Sequence, residues 1–375
     1  MICCEEIIQK VTTPSFLIDM DELRSSLALA KRNAEELNVN LLMAVKGFPL
    51  GCIYPELSSY LTGFSATGLF EAKLGKRMGK EVHVHTPVYQ EKEFDEILSV
   101  CDYVVFNSLN QAKKFIPVSS QTHFGLRVNP ECSQVKEQKY NPCAKNSRFG
   151  VLEQDMADLK DLKNISGFHV HALCESSSSK MTNLVNQTTQ KFEKYFNDIE
   201  WINLGGGQIF ATDNFVTDKL KQAIAVLTDK YHLRTYVEPC EYLVTNAGYF
   251  VTTVQDIIKN GKNIAILDAS VTCHTPDILL SAYTPEVVKP KCKKNGYEYI
   301  LTGCSCLTGD VFGTYTFAKP LNVGDKIIFS EMGAYTFAQM RFFNGINFPS
   351  IYLFQDKNLQ LIKSFSFDDY DRIYG

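Results

Sequence analysis

A lysine, a pair of histidines, three consecutive glycines and a glutamate each stand at the end of a short apolar run in this chain. Lys46 follows Leu41-Leu42-Met43-Ala44-Val45 and precedes Gly47, so an amine sits where a buried strand opens into a loop. Burial and neighbouring charge can lower an amine's pKa toward its nucleophilic form, which suits imine chemistry. The same placement also suits a lysine that snorkels over a strand end. His169 and His171 alternate along one strand and share a face, as a metal pair or as packing rings. Gly205-Gly206-Gly207 can turn sharply and aim N–H groups at a phosphate, or form a plain flexible turn. Glu238, before Pro239, can be a base, a metal ligand or a salt-bridge partner. Arg127 lies within another apolar run.

The elements that must position these groups follow from periodicity. Leu23, Leu27, Ala30, Ala34 and Leu37 recur at helical spacing behind acidic residues, which predicts an amphipathic helix over 21–37. A strand candidate over 16–19 precedes it. Eight apolar runs follow, at 41–45, 63–66, 82–85, 103–106, 124–128, 168–172, 202–204 and 235–237. Helical patterns at 69–78, 93–98, 111–116, 154–162, 182–196 and 218–231 fill most intervals. Such strand-then-helix units predict an α/β fold, a closed (β/α)8 TIM-like barrel over 14–242, with an open doubly wound sheet as the alternative. Beyond about residue 242 the texture turns β-branched and aromatic, with runs at 248–254, 263–267, 297–301, 326–329 and 351–354. This predicts a mostly antiparallel β domain over 243–375, joined by residues 1–13.

Composition narrows the function. The 375 residues are 45% hydrophobic and 21% charged, an ordinary globular balance. A net charge of -4 without basic clusters argues against nucleic acid as a partner. The 12 cysteines are scattered and none has CxxC spacing, so reduced thiols and a cytoplasmic location are expected. Neither a basic-then-apolar leader nor an apolar run of membrane-spanning length is present, and no membrane association is expected.

In a barrel the active face lies at the C-terminal strand ends, where Lys46, Arg127, His169, His171, the glycines and Glu238 all fall. Together they meet the needs of pyridoxal 5'-phosphate. A lysine forms the imine, glycine amides hold the phosphate, a ring stacks on the pyridine and a carboxylate holds the pyridinium proton.

The chain resembles the fold type III pyridoxal-phosphate decarboxylases, which include alanine racemase-like barrels and ornithine decarboxylase, and within them the carboxynorspermidine (carboxyspermidine) decarboxylase branch. The resemblance runs from about Thr13 to the C-terminus. It is carried by Ala44-Val45-Lys46, Tyr140-Asn141-Pro142-Cys143, Ser147-Arg148-Phe149-Gly150, Gly167-Phe168-His169-Val170-His171 with Leu173-Cys174-Glu175, the glycine run and Glu238-Pro239-Cys240-Glu241. Further on come Cys273-His274-Thr275-Pro276-Asp277, Cys304-Ser305-Cys306-Leu307-Thr308-Gly309-Asp310, Gly333-Ala334-Tyr335-Thr336 and Phe343-Asn344-Gly345.

The resemblance implies a carboxy-lyase of polyamine biosynthesis acting on a carboxypolyamine. It implies that Lys46 holds the cofactor, His171 stacks on the ring with His169 beside it, and Arg127 lies nearby. Gly205, Gly206, Gly207 and Tyr335 would hold phosphate, and Glu238 would pair with the ring nitrogen. Cys306 is the implied proton donor, and with Asp310 it would enter the site from the partner subunit of a homodimer. Glu241, Asp277 and Glu175 are the implied ammonium ligands, with Asp310 and His274 in the same substrate set. Ornithine-type relatives carry Gly-Arg after Glu-Pro, with the arginine on the phosphate, whereas Cys240-Glu241 stands here. A glutamate at that point repels phosphate and attracts an ammonium, and the carboxynorspermidine branch also has it. Gln208-Ile209 replaces the histidine expected after the glycines. Three other readings stay open: a decarboxylase of another basic amino acid (diaminopimelate, arginine or ornithine type), a silent relative that binds a partner chain, and a metal-dependent hydrolase using His83, His85, His169 and His171.

Overall fold

The computed structural model describes residues 5–116, 121–132, 135, 137–156, 164–288 and 296–375. The chain divides into two compact units, residues 26–243 and residues 1–25 with 244–375. The strand β1 (Ser15–Asp19) belongs to the second unit.

In the first unit β2 (Asn40–Ala44), β3 (Gly63–Ala66), β4 (Glu81–His85), β5 (Tyr103–Phe106) and β6 (His123–Asn129) pair in parallel in chain order. The two-residue β7 (Val151–Leu152) leans on β6, and β8 (Ile165–His169), β9 (Trp201–Asn203) and β10 (Arg234–Val237) continue the round. Val237 then pairs with Leu41 of β2, which closes an eight-stranded parallel barrel and excludes the open sheet. Strands β2 to β5 are buried along almost their whole length, which is why they read as unbroken apolar runs. Helices Leu69–Lys76, Glu91–Val100, Leu109–Phe115, Ser178–Phe192 and Asp218–Ala225 occupy the intervals. Ser108 and Thr217 cap two of them by accepting Gln111 N–H and Leu220 N–H. Of the helix expected over 154–162, residues 157–162 lie outside the described residues. One strand is displaced: β8 ends at His169, three residues before the apolar run predicted over 168–172 does.

Barrel closure depends on glycine where the chain's single tryptophan points inward. A Cβ on Gly167 would lie 2.1 Å from the Trp201 indole, and one on Gly125 would lie 2.4 Å from it. Trp201 packs with Leu42, Tyr103, Val105 and Tyr236, and Tyr236 Oη donates to Glu81 Oε2 at 3.1 Å. His83 stacks on Tyr103 at 4.0 Å in the same cluster, so it belongs to this packed interior.

In the second unit β11 (Gly248–Asn260), β12 (Lys262–Leu267), β13 (Tyr297–Thr302), β14 (Val311–Phe317), β15 (Lys326–Phe329), β16 (Ser350–Gln355) and β17 (Asn358–Lys363) join β1 in one sheet. Five pairings are antiparallel, and β12–β13 and β1–β16 are parallel. The expected barrel start at residue 14 is corrected here, because β1 pairs with β11 and β16. Its buried Phe16, Leu17 and Ile18 say that a sheet covers them, not which one. No helix among the described residues is long and apolar enough to cross a membrane.

Gly167→Ala should lower stability by about 1–3 kcal/mol through overpacking. The change should appear as a lower urea midpoint at unchanged slope. Combined with Trp201→Phe, it should cost less than the sum of the two single changes.

Candidate active site

Lys46 sits in a single 3-10 turn, Val45–Gly47, directly after β2. Phe48 N donates to Val45 O at 3.0 Å, and Tyr54 Oη closes the next turn onto Phe48 O at 2.7 Å. Cys240, which replaces glycine after Pro239, is buried at 4% exposure. Burial, eased by Lys46, pushes that thiol up to about 12, leaving it a packing group rather than a nucleophile. Lys46, Thr67, His85, Arg127 and His171 line one cavity of ≈ 710 Å³, together with residues between Gln138 and Phe149. The expected Tyr140 to Phe149 motif therefore helps to wall this cavity. Phe149 lies against the Arg127 guanidinium at 4.4 Å and the Arg148 guanidinium at 4.3 Å.

The three glycines are required by space as well as by backbone angle. A Cβ on Gly205 would meet Val170 O at 2.4 Å, one on Gly206 would meet Glu238 O at 2.4 Å, and one on Gly207 would meet Leu173 O at 2.1 Å. Gly205 and Gly207 have φ of 68° and 91°. Two of their N–H groups have partners within the barrel: Gly205 N donates to Asn203 Oδ1 at 2.9 Å and Gly206 N to His171 Nδ1 at 3.1 Å. The second bond makes Nδ1 an acceptor, so a neutral His171 carries its proton on Nε2. Burial, with Lys46 and Arg127 adding positive charge, holds His171 well below the usual histidine range and therefore neutral. Arg127 Nη2 donates to His171 O at 3.4 Å.

Glu238 follows β10 and is 3% exposed. Its Oε1 accepts Asn203 Nδ2 at 2.6 Å, while Oε2 lies 3.2 Å from His85 Nε2 and 3.6 Å from His169 Nε2. Burial opposes its ionisation, yet the two imidazoles beside it hold the carboxyl well below the usual carboxylate range. The His85 and His169 rings stack at 4.3 Å, and His169 is parallel to His171 within 3°. The HxH spacing thus puts both rings on one side, as period-2 alternation requires. His85, His169 and Glu238 also present ligand atoms within 4.8 Å of one another. His83 lies instead with Tyr103 and Glu81, so the four-histidine metal scheme is not assembled.

Sequence reasoning used His85 only in the metal-hydrolase alternative, not as a partner of Glu238, and overlooked Asn203. His83-Val84-His85 ends β4 with the same alternation that drew attention to His169 and His171, and this signal could have found His85. Asn203 carries no comparable mark, since its Oδ1 bonds Gly205 in its own turn and its Nδ2 reaches Glu238 on another strand end.

Glu241 stands at the start of the short helix Glu241–Val244. Burial and the nearby Glu175 carboxylate push its pKa up to about 7. In the sheet unit, Cys306 is exposed, and its N–H donates to Asn344 Oδ1 at 3.0 Å. Asp277 accepts Tyr283 Oη at 2.7 Å and Thr336 Oγ1 at 3.3 Å on Oδ2, while its buried Oδ1 has no partner among the described residues. Tyr335 takes a left-handed φ of 61°. Two expected substrate ligands are corrected. Asp310 is 2% exposed and accepts Val271 N at 2.6 Å, Thr272 N at 3.3 Å and Ser305 N at 3.0 Å, which makes it a clamp for the Cys304–Cys306 loop. His274 has both ring nitrogens on backbone groups, Ser270 N at 3.2 Å and Asn347 O at 3.0 Å.

The family model described as pyridoxal-dependent decarboxylase, C-terminal sheet domain, matches residues 88–333. A carboxynorspermidine/carboxyspermidine decarboxylase of Campylobacter jejuni is 38% identical to this chain, covering 96% of it and 98% of that protein. The chain belongs to the pyridoxal-dependent decarboxylases. A carboxyaminopropylagmatine decarboxylase of Synechocystis is 36% identical, covering 98% of this chain and 97% of that protein. The crystal structure of the Campylobacter jejuni carboxynorspermidine decarboxylase complexed with norspermidine matches with a TM-score of 0.89 at 35% identity, over 97% of this chain and 100% of that one. A Helicobacter pylori diaminopimelate decarboxylase shares the fold, with a TM-score of 0.82 at 18% identity.

The residues of this decarboxylase fit pyridoxal phosphate, the cofactor of its family. The glycine turn is a cradle that any Cβ would fill, the His171 ring is neutral, and Glu238 is a buried anion of the kind a pyridinium proton needs.

Glu241 gives this decarboxylase a pH-dependent weakness. Its carboxyl titrates near 4.5 when unfolded and near 7 when folded, so the folded chain binds the extra proton between those values. Stability is therefore lost as pH rises through that window. Glu241→Gln should stabilise the cofactor-free protein by about 1–3 kcal/mol at pH 8, and the gap should narrow at pH 5. Urea midpoints at the two pH values measure it.

Proposed function

We propose that this decarboxylase converts carboxynorspermidine or carboxyspermidine to norspermidine or spermidine in polyamine biosynthesis. Glu241 carries the reading: a largely buried carboxylate beside a second one, Glu175, makes an acidic subsite that favours a cationic ligand. The secondary ammonium of a carboxypolyamine meets that need. The 38% identity to the Campylobacter jejuni enzyme, which extends over 96% of this chain, supports the same substrate class. Carboxyaminopropylagmatine is the second candidate, supported by the Synechocystis relative at 36% identity; its guanidinium would also answer an acidic subsite.

In this reading Lys46 Nζ would hold the cofactor, with His171 and Arg127 beside its ring. The turn from Gly205 to Gly207 would receive the phosphate, and the Glu238 carboxylate would hold a proton on the ring nitrogen. When bound, pyridoxal phosphate supplies the electron sink for the carbanion left by loss of carbon dioxide. Cys306 Sγ delivers a proton to the α-carbon, and Glu241, Glu175 and Asp277 hold the distal ammonium groups. The chain works as a homodimer, with Cys306 contributed by the partner subunit.

Lys46→Ala should abolish both the visible absorbance of bound cofactor and turnover, as read by spectra and a carbon dioxide release assay; retention of both would sink the lysine assignment. Glu241→Gln should raise KM for carboxynorspermidine roughly 10- to 100-fold, the loss of one charged hydrogen bond, with a much smaller effect on the Kd for pyridoxal phosphate. Comparing kcat/KM for carboxynorspermidine, carboxyspermidine, carboxyaminopropylagmatine and diaminopimelate tests the substrate class, and a preference for diaminopimelate would overturn it.

A further inference from the structure

Asn203, the last residue of β9, is fully buried and bonded at both ends of its amide. Nδ2 donates to Glu238 Oε1 at 2.6 Å, and Oδ1 accepts Gly205 N at 2.9 Å. The backbones of the same segments are zipped together, with Glu238 N donating to Gly205 O at 2.8 Å, Leu204 N to Tyr236 O at 2.9 Å and Val170 N to Asn203 O at 2.7 Å. The amide leaves Glu238 Oε2 facing His85 and His169, so the carboxylate is held from both sides and cannot rotate without breaking a buried bond.

We infer that Asn203 is a positioning residue which couples the Glu238 carboxylate to the Gly205 turn, so that one side chain sets the groups at the ring-nitrogen and phosphate ends of the cofactor. This rests on the reading of Glu238 as the partner of the ring nitrogen. The chemistry explains the residue type. A carboxylate needs a donor and a backbone N–H needs an acceptor, and among side chains of this length an amide supplies both. Aspartate keeps the acceptor for Gly205 but sets a second carboxylate against Glu238, so the pair must share a proton. A shared proton partly neutralises Glu238, and its hold on the ring-nitrogen proton weakens.

The test compares wild type, N203D and the reversed pair N203D/E238Q, each stripped of cofactor and titrated with pyridoxal phosphate. N203D should raise the Kd for pyridoxal phosphate about 10-fold and lower kcat about 100-fold. It should also add an ionisation between about pH 6 and 9 to the spectrum of the bound cofactor and to the kcat profile, as the shared proton leaves. N203D/E238Q restores a donor to an acceptor with the roles exchanged, so it should recover the wild-type melting temperature while kcat stays low. Wild-type Kd, kcat and pH profile in N203D would overturn the inference. So would a loss of cofactor that follows the drop in melting temperature alone, with no new ionisation. If wild type takes up no pyridoxal phosphate, the reading of Glu238 fails and this inference with it; a loaded wild type beside an unaltered N203D removes only the role of Asn203.

Discussion

A carboxylate kept ionised inside a protein needs its charge answered on every side, and the Glu238 surroundings are arranged to do so. Isolated burial of such a group costs several kcal/mol. Here the Asn203 amide donates to one oxygen and the His85 ring meets the other at 3.2 Å, two polar partners for an acid that is 3% exposed. Around that anion β4, β8, β9 and β10 must end at matched heights, because His85, His169, Asn203 and Glu238 each come from one of those strand ends. Barrel closure is thus part of the electrostatics: it brings Asn203 and His85 within hydrogen-bond distance of the Glu238 carboxylate, with His169 at 3.6 Å.

The lysine and glycine turns meet a different constraint, which is steric. Gly205, Gly206 and Gly207 each lie so close to a neighbouring carbonyl oxygen that a methyl group would collide. The turn therefore lies flat on the strand ends, and its N–H groups are parcelled out, one to Asn203, one to His171. An anion-binding turn is commonly pictured as a set of free donors. In this barrel two of those donors are used to orient the Asn203 and His171 side chains, and His171 receives its tautomer from Gly206.

Glu241 illustrates a conflict between stability and function. A carboxyl raised to about 7 by burial and by Glu175 weakens the cofactor-free fold at neutral pH. Where a residue costs stability in this way, a functional demand on it is the usual reason it is kept.

The sequence by itself determined the barrel, its eight strands to within a few residues and the strand-end location of Lys46, Arg127, His171, the glycines and Glu238. These follow from local facts: unbroken apolar runs for parallel strands, helical spacing between them, and polar residues at the C-terminal ends of the runs. Only the tertiary structure decided that β1 belongs to the sheet unit, because its buried residues are the same whichever strands cover them. It also moved Asp310 and His274 from ligands to framework, since an acid or imidazole reads identically until its hydrogen bonds to Ser305, Val271, Ser270 and Asn347 are known. Asn203 and His85 emerged as partners of Glu238 for the same reason. Spacing along one strand is written in the chain, but contact between residues 35 or 153 positions apart exists only once the barrel has closed.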